Sequence, residues 1–226
     1  KLGSGFDIVS GGELERVLAA DGSARDVVFS GVGKSRNEID AAIGAEIGCI
    51  NVESRVELER IAAVAKAHNK VAAIAIRVNP DVDPDTHPYV ATGLKGSKFG
   101  VPIEQVYELY QMSAENKWLN PIGIACHIGS QLISADPVVD ALAQVVEIAE
   151  KLRATNIDLQ RIDVGGGLGI RYRDECPPTI KSFIESLCAH VPERYEIVVE
   201  PGRSLVGESG FLLTRCLLYT ADAADE

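Results

Sequence analysis

Ile122-Gly-Ile-Ala-Cys-His-Ile-Gly-Ser-Gln131, Ile162-Asp-Val-Gly-Gly-Gly167 and Ile197-Val-Val-Glu-Pro-Gly-Arg203 are built alike: a short apolar run passes directly into glycine and polar residues. Buried parallel strands read as continuous apolar runs, and α/β enzymes assemble their sites at the carboxyl ends of such strands. The three stretches predict a parallel sheet with its chemistry gathered at one end.

Working outward, strand-like runs also occur at Phe6-Asp-Ile-Val9, Val27-Val-Phe29, Cys49-Ile-Asn-Val52 and Val71 to Val78, which brings the number to seven. Helical patterns separate most of them. Val56, Ile61 with Ala62, and Ala65 read as one stripe, and Val138, Leu142, Val145, Ala149 and Leu152 keep an i, i+4, i+7 rhythm over four turns. Ser10-x-x-Glu13, Ser35-x-x-Glu38 and Ser54-x-x-Glu57 have capping-box spacing, so a helix is expected to start just after each of the first three strands.

Alternating strand and helix implies an α/β fold with a parallel sheet. Seven βα units are one short of a closed (β/α)8 TIM-type barrel, and the missing strand is expected before Lys1. On that count Gly165 to Gly167 and Glu200 to Arg203 follow strands seven and eight, where such barrels frequently hold a phosphate. Residues 1–206 are therefore read as an incomplete barrel, and residues 207–226 as the start of a carboxyl-terminal β-domain or a disordered tail. Within the latter, Phe211 to Tyr219 has strand character and Thr220 to Glu226 is polar and acidic. Asp81 to Gly100, rich in Pro, Asp and Gly, has no period and reads as an inserted functional loop.

Composition narrows the function. With 226 residues, 46% of them hydrophobic and 24% charged, the chain can bury a full core. A net charge of -11 argues against a phosphate-backbone footprint, so nucleic acid is not an expected partner. No run approaches the ~18 apolar residues of a membrane span, so no membrane partner is expected. Five scattered cysteines, at 49, 126, 176, 188 and 216, contain no Cys-x-x-Cys pair, so neither a metal site nor a disulfide framework is expected; a cytoplasmic protein with reduced thiols is.

The candidate chemistry lies at the strand ends. Gly165-Gly-Gly167 lets backbone amides approach an anion, although a ligand-free tight turn explains it too. It is not a dinucleotide fingerprint, because the frames starting at Gly165 and Gly167 end on Ile170 and Tyr172. Gly31-Val-Gly-Lys-Ser35 is not a P-loop, since Val28 stands where the first glycine belongs; Lys34 reads as a solvated residue at a helix start. His127 and Ser130 follow a strand directly, as does Glu200, whose turn Pro201 stiffens. A carboxylate at such a place needs a partner, either Arg203 or a cationic nitrogen of a ligand. Asp7 and Arg77 each interrupt an apolar strand, as residues of a polar barrel mouth would. Glu13 is explained by its capping box.

Together these runs, with Gly5-Phe-Asp-Ile-Val-Ser-Gly-Gly-Glu-Leu14, Arg77-Val-Asn-Pro80, Thr92-Gly-Leu-Lys-Gly-Ser-Lys-Phe-Gly100 and Asp163-Val-Gly-Gly-Gly-Leu-Gly169, resemble the fold-type III pyridoxal-phosphate decarboxylases over nearly the whole chain. The Gly-Val-Gly-Lys-Ser, Lys-Phe-Gly and His-Ile-Gly-Ser-Gln runs favour the branch that converts meso-diaminopimelate to L-lysine. Sister decarboxylases of arginine, ornithine or carboxynorspermidine are the enzymatic alternative, and a barrel that binds pyridoxal phosphate without chemistry is the non-catalytic one.

The resemblance implies pyridoxal 5'-phosphate as cofactor, an amino acid as substrate and a homodimer as the working form. It further implies that Gly165, Gly166, Gly167, Gly202 and Ser130 hold the phosphate, that His127 stacks on the ring, that Glu200 pairs with the ring nitrogen and that Arg203 binds a substrate carboxylate; Asp7, Arg77 and Pro201 complete the expected cofactor site. The family's Schiff-base lysine belongs to a strand ahead of Gly5-Phe-Asp, and no lysine in these 226 residues matches it, so turnover by this chain alone is not expected. Cys216 does not match the cysteine of the family's β-domain.

Overall fold

The structure, a computed structural model, describes residues 3–82, 99–211 and 213–215. The strands are β1 (Phe6–Ile8), β2 (Val27–Phe29), β3 (Cys49–Val52), β4 (Ala72–Asn79), β5 (Val101–Pro102), β6 (Leu119–Ala125), β7 (Arg161–Asp163) and β8 (Glu196–Val198). All seven expected strands are present, and β5 is a two-residue addition on β4. The order is β1-β2-β3-β4-β6-β7-β8 with every pairing parallel, and among the described residues β1 and β8 end it. With helices covering it, the curled sheet is an incomplete β/α barrel.

The helices are α1 (Gly11–Ala19), α2 (Arg36–Gly44), α3 (Arg55–His68), α4 (Ile103–Glu115), α5 (Asp136–Arg153), α6 (Ile180–Cys188) and α7 (Arg203–Val206). The large core lies between sheet and helices, where Phe29, Ile50, Ile74, Ile76, Ile124 and Ile162 meet Leu58, Ile61, Leu142 and Val145. The other face of the sheet carries a small cluster of Cys49, Ala75, Ile122 and Ala125, with Val28 and Ala73 against it. Small side chains there leave room for charged ones further along the same strands.

Strand period 2 explains that division, since alternate residues of β3 and β4 serve opposite faces. Val138, Leu142, Val145, Ala149 and Leu152 are all buried along α5, as their spacing predicts. Val56 and Val71 are corrections. Both are exposed, because α3 turns Leu58, Ile61, Val64 and Ala65 to the core, and β4 begins one residue after Val71.

The three capping serines all accept the N–H of the residue three further on. Only Ser35 completes the box, with Glu38 accepting the Ser35 N–H. Glu13 and Glu57 instead accept the N–H one residue earlier, at Val9 and Glu53. The expected loop at Asp81 to Gly100 lies outside the described residues apart from Asp81, Val82, Phe99 and Gly100. Of the expected strand at Phe211 to Tyr219, Phe211 and residues 213–215 belong to no regular element, and the remainder, with Cys216, lies outside the described residues.

Candidate active site

A cavity of about 360 Å³ opens at the carboxyl ends of the strands. Asp7 of β1, Arg77 of β4, His127, Ser130, Gly166, Gly167, Glu200 and Gly202 from the loops after β6, β7 and β8, and Arg203 at the start of α7 all line it. Residues as far apart in the chain as Asp7 and Arg203 are thus brought together by parallel register: Asp7 lies level with Val28, Asn51 with Ala75, and Ala125 with Asp163. Gly165 and Pro201 stand behind the lining. Gly165 adopts a left-handed φ of 68°, and a Cβ there would come within 2.5 Å of His127 Nδ1. Gly166 lies so close to the Glu200 carbonyl that a side chain has no room. The glycine run therefore packs the imidazole and the Glu200 turn together while it exposes backbone to the cavity.

The floor of the cavity is acidic. The Asp163 carboxylate accepts the Gly165 N–H at 2.9 Å and the Asn51 side-chain amide at 3.3 Å. That amide also donates to the Ser30 hydroxyl at 3.1 Å, and Ser30 in turn bonds Asp7. Burial raises Asp163 despite these donors. Glu200 is pushed up to about 10, by burial first and then by the charges of Asp163 and Asp7, so at neutral pH it keeps its proton and bonds Asp163. Its Oε1 is buried with no hydrogen-bond partner among the described residues. Asp7 rises to about 6 by partial burial, opposed by the Ser30 bond, and its side keeps contact with water.

Arg77 is the cation that answers these acids. It is 9% exposed, bonds Glu53 at 2.8 Å and lies over the Phe99 ring at 5.0 Å. His127 is uncharged: burial, then the Arg77 charge, lowers it to about 4, and its Nδ1 accepts the Gly166 N–H at 3.2 Å. A neutral ring held by that bond lines the cavity. Arg203 donates to Gln131 Oε1 at 3.3 Å, and Gln131 is fixed by two bonds to the Ile170 backbone.

Several residues of the site were not singled out in the sequence. Asn51 and Asp163 interrupt apolar strands just as Asp7 and Arg77 do, so the signal was present. Glu57 carried none beyond helix capping, and Glu53 carried none at all. Lys34 is a correction: it is 3% exposed, because the chain turns its ammonium inward onto the Gly31 and Asn51 carbonyls and Glu57. Among the described residues no cluster of His, Cys, Asp and Glu is placed to hold a metal ion, and no helix is long and apolar enough to cross a membrane.

An acidic floor with an unpartnered buried oxygen, a neutral stacking ring and a glycine-lined wall suit an anionic ligand with a cationic aromatic nitrogen. Residues 1–207 match the family described as pyridoxal-dependent decarboxylase, pyridoxal binding domain. The chain belongs to the pyridoxal-dependent decarboxylase family. Among its relatives, the diaminopimelate decarboxylase of Pseudomonas aeruginosa is 49% identical over 216 residues, 95% of this chain and 52% of the relative. That of Neisseria meningitidis serogroup A is likewise 49% identical, over 95% of this chain and 53% of the relative.

Among solved structures, the diaminopimelate decarboxylase of Helicobacter pylori complexed with L-lysine superposes with a TM-score of 0.90 at 41% identity, covering 92% of this chain and 53% of that one. Lysine decarboxylase of Selenomonas ruminantium, at 20% identity and a TM-score of 0.78, shares the fold. This pyridoxal-dependent decarboxylase chain spans about half the length of the relatives it matches.

Proposed function

We infer that the gene-encoded protein carrying this domain is a pyridoxal 5'-phosphate-dependent decarboxylase that converts meso-2,6-diaminopimelate to L-lysine and carbon dioxide. The observation that carries the reading is Glu200. A buried carboxyl with an unpartnered oxygen, crowded by two further acids, is costly on its own and favourable once a cation adjoins it. A protonated ring nitrogen is such a cation, so the residues present fit the cofactor.

When bound, pyridoxal phosphate supplies a conjugated ring that accepts the electron pair left as carbon dioxide departs. This chain's part is to hold and tune it. Glu200, protonated in the empty cavity, would pass its proton to the ring nitrogen and, as a carboxylate beside it, would keep that nitrogen protonated. Asp163 and Asp7, whose charges already act on Glu200, would sustain the negative field there. His127, neutral, would lie against the ring without adding a competing charge. Gly166, Gly167, Gly202 and Ser130 would hold the phosphate, with Gly165 and Pro201 shaping the turns behind them. Arg203, aimed by Gln131, receives a substrate carboxylate, for which its planar fork is suited.

The diaminopimelate branch is supported by the names of the relatives at 49% identity and by the His127 to Gln131 run. A homodimer in the cytoplasm, and a domain boundary near residue 206, complete the reading. Side-by-side assays of the gene-encoded protein with meso-diaminopimelate, ornithine and arginine test it. Lysine and carbon dioxide are expected from the first substrate at a kcat/KM at least about 100-fold above the others, the discrimination a site gains by pairing a polar substrate group. Equal or greater turnover of ornithine or arginine contradicts the assignment.

A further inference from the structure

A second buried ionic assembly adjoins the cavity, and the roles given above do not use it. The Lys34 ammonium is wholly withdrawn from solvent, and its three protons meet three acceptors: Gly31 O and Asn51 O at 2.7 Å and Glu57 Oε1 at 3.0 Å. Glu57 Oε2 accepts the Glu53 N–H at 2.7 Å. Glu53, directly after β3, divides its own carboxylate between Arg77 Nη1 and the Gly100 N–H, both at 2.8 Å. Two cations and two anions thus run in an unbroken line from the β2–α2 turn to the cavity wall.

Burying an ammonium and two carboxylates is expensive, and capping α3 requires none of it, because Ser54 already accepts the Glu57 N–H. What the line does accomplish is to fix Arg77. One Glu53 oxygen holds the guanidinium and the other is tied to Gly100, so Glu53 cannot turn to follow a moving arginine. Glu57 and Lys34 in turn hold the Glu53 backbone. Arg77 faces Asp7, Asp163, Glu200 and His127, whose charge states all feel it.

We propose that Lys34, Glu57 and Glu53 are positioning residues: a buried brace that sets the Arg77 guanidinium against the acidic floor and pins Gly100, the residue just before β5. The proposal rests on the cavity being the pyridoxal phosphate site. Removing the Lys34 charge leaves Glu57 buried without its cation, loosens its hold on the Glu53 amide and frees Arg77 to move.

A double-mutant cycle tests this on the gene-encoded protein, with Lys34→Met, Arg77→Lys and the pair, reading affinity for pyridoxal 5'-phosphate by fluorescence titration. Hydrogen exchange at the Gly100 amide is read on the same cofactor-free proteins, with α5 amides as the gauge of global stability. Lys34→Met is expected to weaken binding about tenfold alone and less than about twofold in the Arg77→Lys background, since residues in one network are non-additive. Gly100 exchange is expected to quicken about tenfold relative to α5, as a local opening does. Additive effects on affinity, or Gly100 exchange that rises only in step with α5, overturn the proposal. Should Lys34→Met not fold, Glu57→Gln takes its place in the same cycle, with effects of the same sign. Should the unaltered protein bind no pyridoxal phosphate, the functional reading fails, and the exchange comparison alone decides the brace.

Discussion

Two ionic clusters meet at the mouth of this barrel, and they differ in one respect: one is closed and the other is open. In the Lys34, Glu57, Glu53 and Arg77 line each carboxylate has its cation, positive and negative are equal in number, the groups are buried and the three Lys34 protons each meet an acceptor. The Asp7, Asp163 and Glu200 floor is short of positive charge, keeps a proton on Glu200 and leaves one buried oxygen without a partner. A closed cluster is architecture, because its charges are already answered within the chain. An open cluster is a site, because its missing charge must come from a ligand. The difference separates holding from binding where composition and burial alone do not.

Removing an ionisable group therefore has opposite consequences in the two clusters. Lys34→Met opens the closed one and strands Glu57, so equilibrium urea unfolding is expected to show a loss of about 3–5 kcal/mol, as for other broken buried pairs. Glu200→Gln relieves the open one. Glu200 has a folded value of about 10 against an ordinary 4.5, so between those values the folded chain retains a proton that the unfolded chain releases. Stability contributed by this group is therefore present at low pH and falls as pH rises through that window.

The cofactor-free Glu200→Gln protein is expected to be more stable than the unaltered one by roughly 2–4 kcal/mol at pH 8, with the gain vanishing toward pH 4. The same substitution is expected to weaken pyridoxal phosphate binding about 100-fold, which equilibrium dialysis measures.

His127 sharpens the contrast from the acid side. Its folded value of about 4 lies below the ordinary 6.5, so the unfolded chain binds a proton first and stability falls as pH drops through that interval. His127→Gln is expected to flatten this limb by about 1–2 kcal/mol between pH 6.5 and 4. Asp7→Asn is expected to change least: a gain in stability with the sign of Glu200→Gln, confined to the window between 3.8 and about 6 and softened by water at its exposed side.

The open cluster was largely legible in the sequence and the closed one was not, for a physical reason. Asp7, His127 and Glu200 are polar residues set into or just past apolar strands, as is Arg77 where the closed cluster meets the open one, and such interruptions are visible in a one-dimensional reading. Asp163 and Asn51 showed the same mark in weaker form. Lys34 and Glu57, by contrast, sit where a local explanation suffices: a helix start and a capping spacing. Their decisive partners are 23 residues apart in the chain, and Glu53 reaches Arg77 across 24 and Gly100 across 47. Only the parallel register of β2, β3 and β4 makes those neighbours. The seven strands were legible because buried parallel strands are apolar throughout, whereas β5, two residues long, has too few residues to carry a pattern.

The central claim is that Glu200 awaits a cationic ring nitrogen, and the protonation state of that nitrogen tests it most directly. Pyridoxal 5'-phosphate labelled with 15N in the ring, bound to the gene-encoded protein at pH 8, is expected to show the chemical shift of a protonated nitrogen in the unaltered protein and of an unprotonated one in Glu200→Gln. An unprotonated nitrogen in the unaltered protein, or a shift indifferent to the substitution, would contradict the account.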